Sequence, residues 1–201
     1  QQKTIEAELQ LLKSQVHPHF IFNTLNNIYS YAIQKNDKTP DLIHRLSSFL
    51  SYNLYDSKLH GIELSKEIEY IRSYVELEKL RYGDRLDVSV NIFNSTSGFL
   101  ISPLLLLPLV ENCFKHGVTS VLSKCWIRID IYYQHDWLTV KIENSIGDKP
   151  PGNSQNKNGL GIENVKKRLD IIYAGKYDFK TISEGQSFMV ILKIKSLDIE
   201  N

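Results

Sequence analysis

The sequence predicts an α+β protein in two parts, a helical segment over residues 1–82 and an α/β sandwich over 83–201 whose mostly antiparallel sheet is covered on one face. Three observations predict it. Apolar residues recur at helical spacing through the first 82 residues, the period drops to two after Gly83, and later alternating runs are separated by polar turns and by two more helix-like stretches.

In the first helix Ile5, Leu9, Leu12 and Val16 form a single stripe, a candidate coiled-coil seam. A second helix is predicted to open at Thr39-Pro40, with Thr39 as N-cap, Pro40 at the first helical position, and Ile43, Leu46, Leu50 and Leu54 as its stripe. A third follows Ser65, with Glu67 and Glu69 in its first turn, Ile68, Ile71 and Val75 on one face, and Gly83 as the stop. Leu86, Val88, Val90 and Ile92 then alternate as a half-buried strand. Residues 103–117 read as a helix opened by Pro103. Ile127, Ile129 and Ile131, then Leu138, Val140 and Ile142, read as two strands around the polar Gln134-His135-Asp136. The stretch 148–158 has a loop composition of Pro, Gly, Asn, Lys and Ser. A helix over about 162–174 and strands near 177–183 and 187–195 complete the order.

Composition bounds the function. The chain has 201 residues, 42% hydrophobic and 23% charged, which is ordinary for a globular protein. A net charge of +1 argues against a nucleic-acid binder, whose affinity would rest on a basic surface. Two cysteines, Cys113 and Cys125, form neither a disulfide framework nor a metal-ligand spacing, as suits a reducing compartment. The greasiest stretch, Phe99–Val110, contains Ser102, Pro103 and Pro108 and falls short of the roughly 20 residues of a membrane helix. The chain starts at Gln1 inside a helix-like pattern, so we expect a piece of a longer protein, with any membrane attachment through an upstream segment.

Pro18 interrupts the helical run, and an interior proline costs about 3 kcal/mol. Beyond it the four-three spacing lands on His19, Asn23, Asn26 and Ser30, all polar, while the apolar stripe moves to Ile21, Leu25, Ile28 and Ala32. His19 therefore heads a polar stripe where solvent and a reactant can reach it. Spacing alone is equally satisfied by a surface histidine after a kink.

The segment Leu12–Ile28, LKSQVHPHFIFNTLNNI, resembles the phosphoacceptor box of the LytS/YehU-like sensor histidine kinases, a PHFxFNxLN core present here as Pro18, His19, Phe20, Phe22, Asn23, Leu25 and Asn26. IEYIRSYVELEKLRYGDRL, from Ile68 to Leu86, is also typical of that family. The resemblance implies that His19, not the neighbouring His17, is the catalytic nucleophile. Many other histidine kinases carry an acidic residue directly after the acceptor. Phe20 stands there, so a base, where one is needed, comes from elsewhere, and Glu111 is one candidate.

Three further segments concern a nucleotide. In PLVENCFKHG, Glu111 with Lys115 and Asn112 with His116 form i,i+4 pairs, a pattern that a helix with a solvated face also shows. The segment resembles the N box of the ATPase fold shared by gyrase, heat-shock chaperones, histidine kinases and mismatch-repair ATPases. The resemblance implies that Asn112 is the Mg²⁺ ligand, through its amide oxygen, with Lys115 and His116 near the phosphates. In IENSIGDKP the family's base-reading Asp is matched to Glu143, its first Gly to Ser145, and Gly147 remains. NGLGIENVKKRL resembles the second glycine box, with Gly159, Leu160 and Gly161 presenting a helix N-terminus to phosphate.

The resemblance covers nearly the whole chain. It implies a GHKL-type ATP-binding domain, ATP and Mg²⁺ as cofactors, transfer to an aspartate of a response-regulator protein, and the cytoplasmic portion of an inner-membrane sensor. The seam of Ile5, Leu9, Leu12 and Val16, which has no partner inside a single helix, and the stripe of the second helix predict a homodimer built on residues 1–60. A catalytically silent ATP-binding scaffold and an ATP hydrolase of the same fold are the alternatives.

Overall fold

The computed structural model describes residues 18–95, 97–118, 124–147 and 160–197, with the backbone alone of His116 and Leu160. The Ile5–Val16 seam, His17, Gly159 and the polar stretch 148–158 lie outside the described residues. The fold is α+β: three helices, α1 (Pro18–Ile33), α2 (Thr39–Leu54) and α3 (Leu64–Tyr82), precede a sheet that two more, α4 (Leu107–Cys113) and α5 (Leu160–Ile172), help to cover.

Each helix of the α1–α2 pair buries one face. On α1 the inward residues are Phe20, Thr24 and Ile28, so the expected stripe holds at Ile28, is half-buried at Ile21, and fails at Leu25 and Ala32, which are exposed. On α2 the inward set is Leu42, Leu46, Phe49 and Tyr52, in place of the expected Ile43, Leu46, Leu50 and Leu54. Ile43 and Leu54 are each 55% exposed because the helix carries two apolar stripes and α3 covers the other one. Thr39 is not the N-cap: that position falls to Lys38, and the Thr39 hydroxyl donates to the Asn36 carbonyl.

Helix α3 keeps its predicted face, with Ile68, Ile71 and Val75 buried, and ends at Gly83, whose φ of +55° favours glycine. Strand β1 (Ile62–Glu63) pairs with β3 (Leu100–Ile101). The main sheet runs β2 (Leu86–Phe93), β4 (Cys125–Gln134), β5 (Trp137–Ser145), β7 (Ser187–Lys195), β6 (Tyr177–Glu184), parallel only between β2 and β4. His135 and Asp136, both at positive φ, make the two-residue turn between β4 and β5. Ile127, Ile129, Ile131, Leu138, Val140, Ile142, Val190, Leu192 and Ile194 line the covered face, against Leu109, Val110 and Cys113 of α4 and Val165 and Leu169 of α5.

The expected helix over 103–117 begins at Leu107. Residues 102–106 are buried and irregular, with Leu104 at φ +56°. Side chains from other elements satisfy their backbone groups, so helical bonding is not needed there. After Cys113 the chain widens into a π-helical turn, Phe114–Val118.

Candidate nucleotide and phosphoacceptor site

His19 stands in the first turn of α1 and is exposed, as the polar stripe required. The carboxamide Nδ2 of Asn23, one turn on, lies 3.1 Å from its Nδ1 and 3.4 Å from its Nε2, and the imidazole tautomer decides which ring nitrogen accepts from it. The next residue, Phe20, points the other way. Its ring meets Phe49 of α2 at 5.0 Å and Tyr74 of α3 at 4.9 Å, and Tyr74 meets Phe114 edge-on at 5.5 Å. One aromatic chain thus joins the residue beside His19 to the turn that ends α4.

Helix α4 carries the N-box residues. Its buried side, Leu109, Val110 and Cys113, anchors it; Glu111 and Asn112 are half-buried, and Lys115 is exposed in the following turn. His116 contributes only its backbone to the description. Burial pushes the Cys113 thiol up to about 12, so it is a packing residue rather than a nucleophile. Glu111 lies close enough to Tyr74 and Glu78 to act on both. Burial, with Glu78 and Glu111 beside it, raises the Tyr74 phenol. Burial also raises the Glu78 carboxyl, with Arg81 opposing and Glu111 adding to the rise.

Strand β5 sets two candidates for the base on opposite faces. Leu138, Val140, Ile142 and Asn144 face the helices, whereas Thr139, Lys141, Glu143 and Ser145 face the other side of the sheet. Glu143 therefore does not share a face with Asn112, and the neighbouring Asn144 does. Asn144 is 2% exposed. Its Nδ2 donates to the Ser145 carbonyl at 2.9 Å, and its buried Oδ1 has no partner among the described residues. The π-helical turn runs directly against it. A β-carbon at Gly117 would lie 2.5 Å from Asn144 Nδ2 and 3.0 Å from the Ser145 carbonyl. The signal for Asn144 is present in the sequence, because the alternation from Leu138 through Ile142 continues to 144.

Gly147 is half-buried just beyond β5, and Gly161 is exposed in the first turn of α5 with open space around it. Leu160 opens that helix; Gly159 precedes the described backbone.

These groups fit a purine nucleotide and Mg²⁺. A buried amide oxygen lacking a donor matches an exocyclic amino group, and a half-exposed Asn112 carboxamide offers an oxygen to a hard cation. No group of three or more His, Cys, Asp or Glu among the described residues could hold a metal, but Mg²⁺ at phosphates takes only one or two protein oxygens.

Residues 7–86 match the model of the histidine kinase family. The chain is 30% identical over 200 residues to the sensor histidine kinase/phosphatase LytS of Staphylococcus aureus (strain MRSA252), an alignment covering 93% of this chain and 34% of that protein. It is 32% identical over 183 residues to the sensor histidine kinase BtsS of Escherichia coli (strain K12), covering 91% and 32%. The chain thus spans about a third of the length of the curated relatives it matches. Among solved structures, it is similar to the histidine kinase domain of the Erythrobacter litoralis EL346 blue-light activated histidine kinase, with a TM-score of 0.53, 14% identity, and coverage of 96% of this chain and 93% of that one. At that identity the likeness is one of fold alone.

Proposed function

Because the chain belongs to the LytS/YehU-like sensor histidine kinases, we propose that it transfers the γ-phosphoryl group of Mg-ATP to its own His19, and from there to an aspartate of a response-regulator protein. The observation that carries this reading is the placement of an exposed histidine on a helix whose next residue, Phe20, reaches through Tyr74 to Phe114 at the end of the Asn112 helix.

His19 supplies the nucleophile, a neutral imidazole nitrogen. The N–P bond forms as the bond from phosphorus to the β-phosphate oxygen breaks, and ADP leaves. Bound Mg-ATP supplies the phosphoryl group, with its charge partly neutralised by the metal. Asn112 would hold the metal and Asn144 would accept from the adenine amino group, and the family resemblance assigns Lys115 and His116 to the phosphates. Gly147 and Gly161 would bound the site, with the start of α5 favouring phosphate, and the family resemblance assigns Gly159 and Leu160 to the same role. Glu111 is the candidate base.

The division into a helical phosphoacceptor unit over 1–82 and a nucleotide-binding unit over 83–201 belongs to the same proposal. So does a homodimer. Phe22, Leu25, Tyr29 and Ile33 form an exposed stripe on α1, and Ile43 and Leu54 project from α2, as the inner faces of a four-helix bundle of two chains would. No described helix is long and apolar enough to cross a membrane. Attachment of a cytoplasmic kinase portion to an inner membrane would come from other parts of a longer protein. Incubation with γ-labelled ATP tests the activity. A kinase takes label onto protein, a silent scaffold takes none, and a hydrolase yields free phosphate only.

A further inference from the structure

The segment Ser102–Leu106 joins β3 to α4 and so carries the helix that holds Asn112. It has no regular structure, yet its residues are buried, and each polar backbone group left alone there would be costly. Side chains from two helices meet that need. From α3, Glu67 accepts the N–H of Leu104 at its Oε2 and the N–H of Leu106 at its Oε1, each at 3.0 Å. From α5, Arg168 donates to the carbonyls of Leu104 at 2.5 Å and Pro103 at 2.6 Å and to the Ser102 hydroxyl at 3.2 Å. The Tyr173 hydroxyl accepts the Ser102 N–H at 2.8 Å. Glu67 and Arg168, 0% and 2% exposed, therefore hold the segment together, the one taking its N–H groups and the other its carbonyls.

One more donor comes from elsewhere. Tyr52, near the end of α2, gives its hydroxyl proton to Glu67 Oε2, the same oxygen that receives the Leu104 N–H. Helix α2 belongs to the helical hairpin that also bears His19 and lies outside the nucleotide site. A turn or slide of α2 must withdraw the Tyr52 hydroxyl from Oε2. That leaves a buried carboxylate with one donor fewer on the oxygen that fixes Leu104.

We infer that Tyr52 and Glu67 are positioning residues through which the placement of α2 is passed to the Ser102–Leu106 segment and so to the Asn112 helix. The link itself rests on the hydrogen bonds; its effect on phosphorylation rests on the kinase reading. Arg168 completes the grip through the carbonyls of Pro103 and Leu104. Movement of the helical hairpin, the part nearest any upstream sensing segment, would thereby reach the nucleotide site without passing through His19.

The test uses the full chain and Tyr52→Phe, which keeps the ring that stacks on Tyr70 at 4.1 Å and loses only the hydroxyl. Tyr70→Phe is the control, since it deletes a neighbouring buried phenol hydroxyl that pairs with Asn53. Hydrogen exchange in Tyr52→Phe is expected to quicken about tenfold at the Leu104 and Leu106 amides and across residues 107–113, the factor for losing one hydrogen bond to a charged group. Amides of β4 and β5 should keep the parent's rates. In phosphorylation assays the variant should lose several-fold in kcat, with KM for ATP within about twofold of the parent. Glu67→Gln should exceed both effects, because an NH2 donor replaces one of the two oxygens that accept the Leu104 and Leu106 N–H groups. Unchanged exchange at Leu104 and Leu106 in Tyr52→Phe, or an equal change in Tyr70→Phe, overturns the link. A parent that takes no label overturns the kinase reading, and the exchange rates still decide the link.

Discussion

Replacing Asn144 with Ala separates recognition of the base from stability of the fold. The side chain makes one hydrogen bond, Nδ2 to the Ser145 carbonyl at 2.9 Å, and buries one oxygen with no partner among the described residues. Losing the bond costs about 1 kcal/mol, and losing an unsatisfied buried acceptor returns about 1–3 kcal/mol. The ligand-free variant should therefore stay within about 1–2 kcal/mol of the parent, with Tm moved by no more than about 8 °C in a chain of this size. The bound state fares differently, because the adenine amino group loses its acceptor. A neutral hydrogen bond is worth about 0.5–1.5 kcal/mol, a roughly two- to twelvefold weaker Kd for ATP. Inorganic tripolyphosphate, which has no base, should bind both proteins alike. Glu143→Ala, on the opposite face of β5, should bind ATP as the parent does. Calorimetric titration with ATP and tripolyphosphate supplies each number. An unchanged ATP affinity in Asn144→Ala, or an equal loss for tripolyphosphate, refutes the reasoning, and a loss confined to Glu143→Ala would restore the sequence-based assignment.

Two other predictions concern assembly and pH. The double variant Phe22→Asp/Tyr29→Asp places charges on two residues each 67% exposed in the single chain, and should weaken self-association by at least about tenfold in sedimentation across a concentration series. A parent that is monomeric at every concentration contradicts the bundle. Burial raises the Glu78 carboxyl above the ordinary glutamate value of 4.5. The stability this group contributes is thus fully present below that value and is lost as pH rises through the folded-state pKa. Glu78→Gln should accordingly gain on the parent between pH 5 and pH 7.5 in denaturant titrations, and parallel curves at the two pH values would sink the assignment.

Alternation located the sheet because β4 and β5 each bury every second residue, and a polar pair at 135–136 can adopt the positive φ that their turn needs. It also points to Asn144, whereas matching carboxylate to carboxylate favours Glu143, one position away and on the opposite face. On α2 the difficulty was physical degeneracy. Ile43 and Leu54 make one apolar stripe, Leu42, Leu46 and Phe49 another, and a single sequence does not tell which one its own chain covers. Pro103 reads as a helix start because proline suits a first turn. What prevents it is non-local, since Glu67 and Arg168, distant in sequence, take the hydrogen bonds of 102–106. Glu67 reads as a favourable first-turn acid, and only the fold shows it fully buried. His19 needed no tertiary information, because the polar stripe that follows Pro18 predicts its exposure.

The identity of the phosphoryl acceptor decides the reading most directly. The parent, His19→Gln and His17→Gln should be incubated side by side with γ-labelled ATP and Mg²⁺, with ATP affinity measured on each. The parent and His17→Gln should carry label that is lost in acid and kept in alkali, as a phosphoramidate requires. His19→Gln should bind ATP within about twofold of the parent and carry no label, because an exposed imidazole contributes little to a remote pocket. Full labelling of His19→Gln, or label that survives acid, contradicts His19 as the nucleophile.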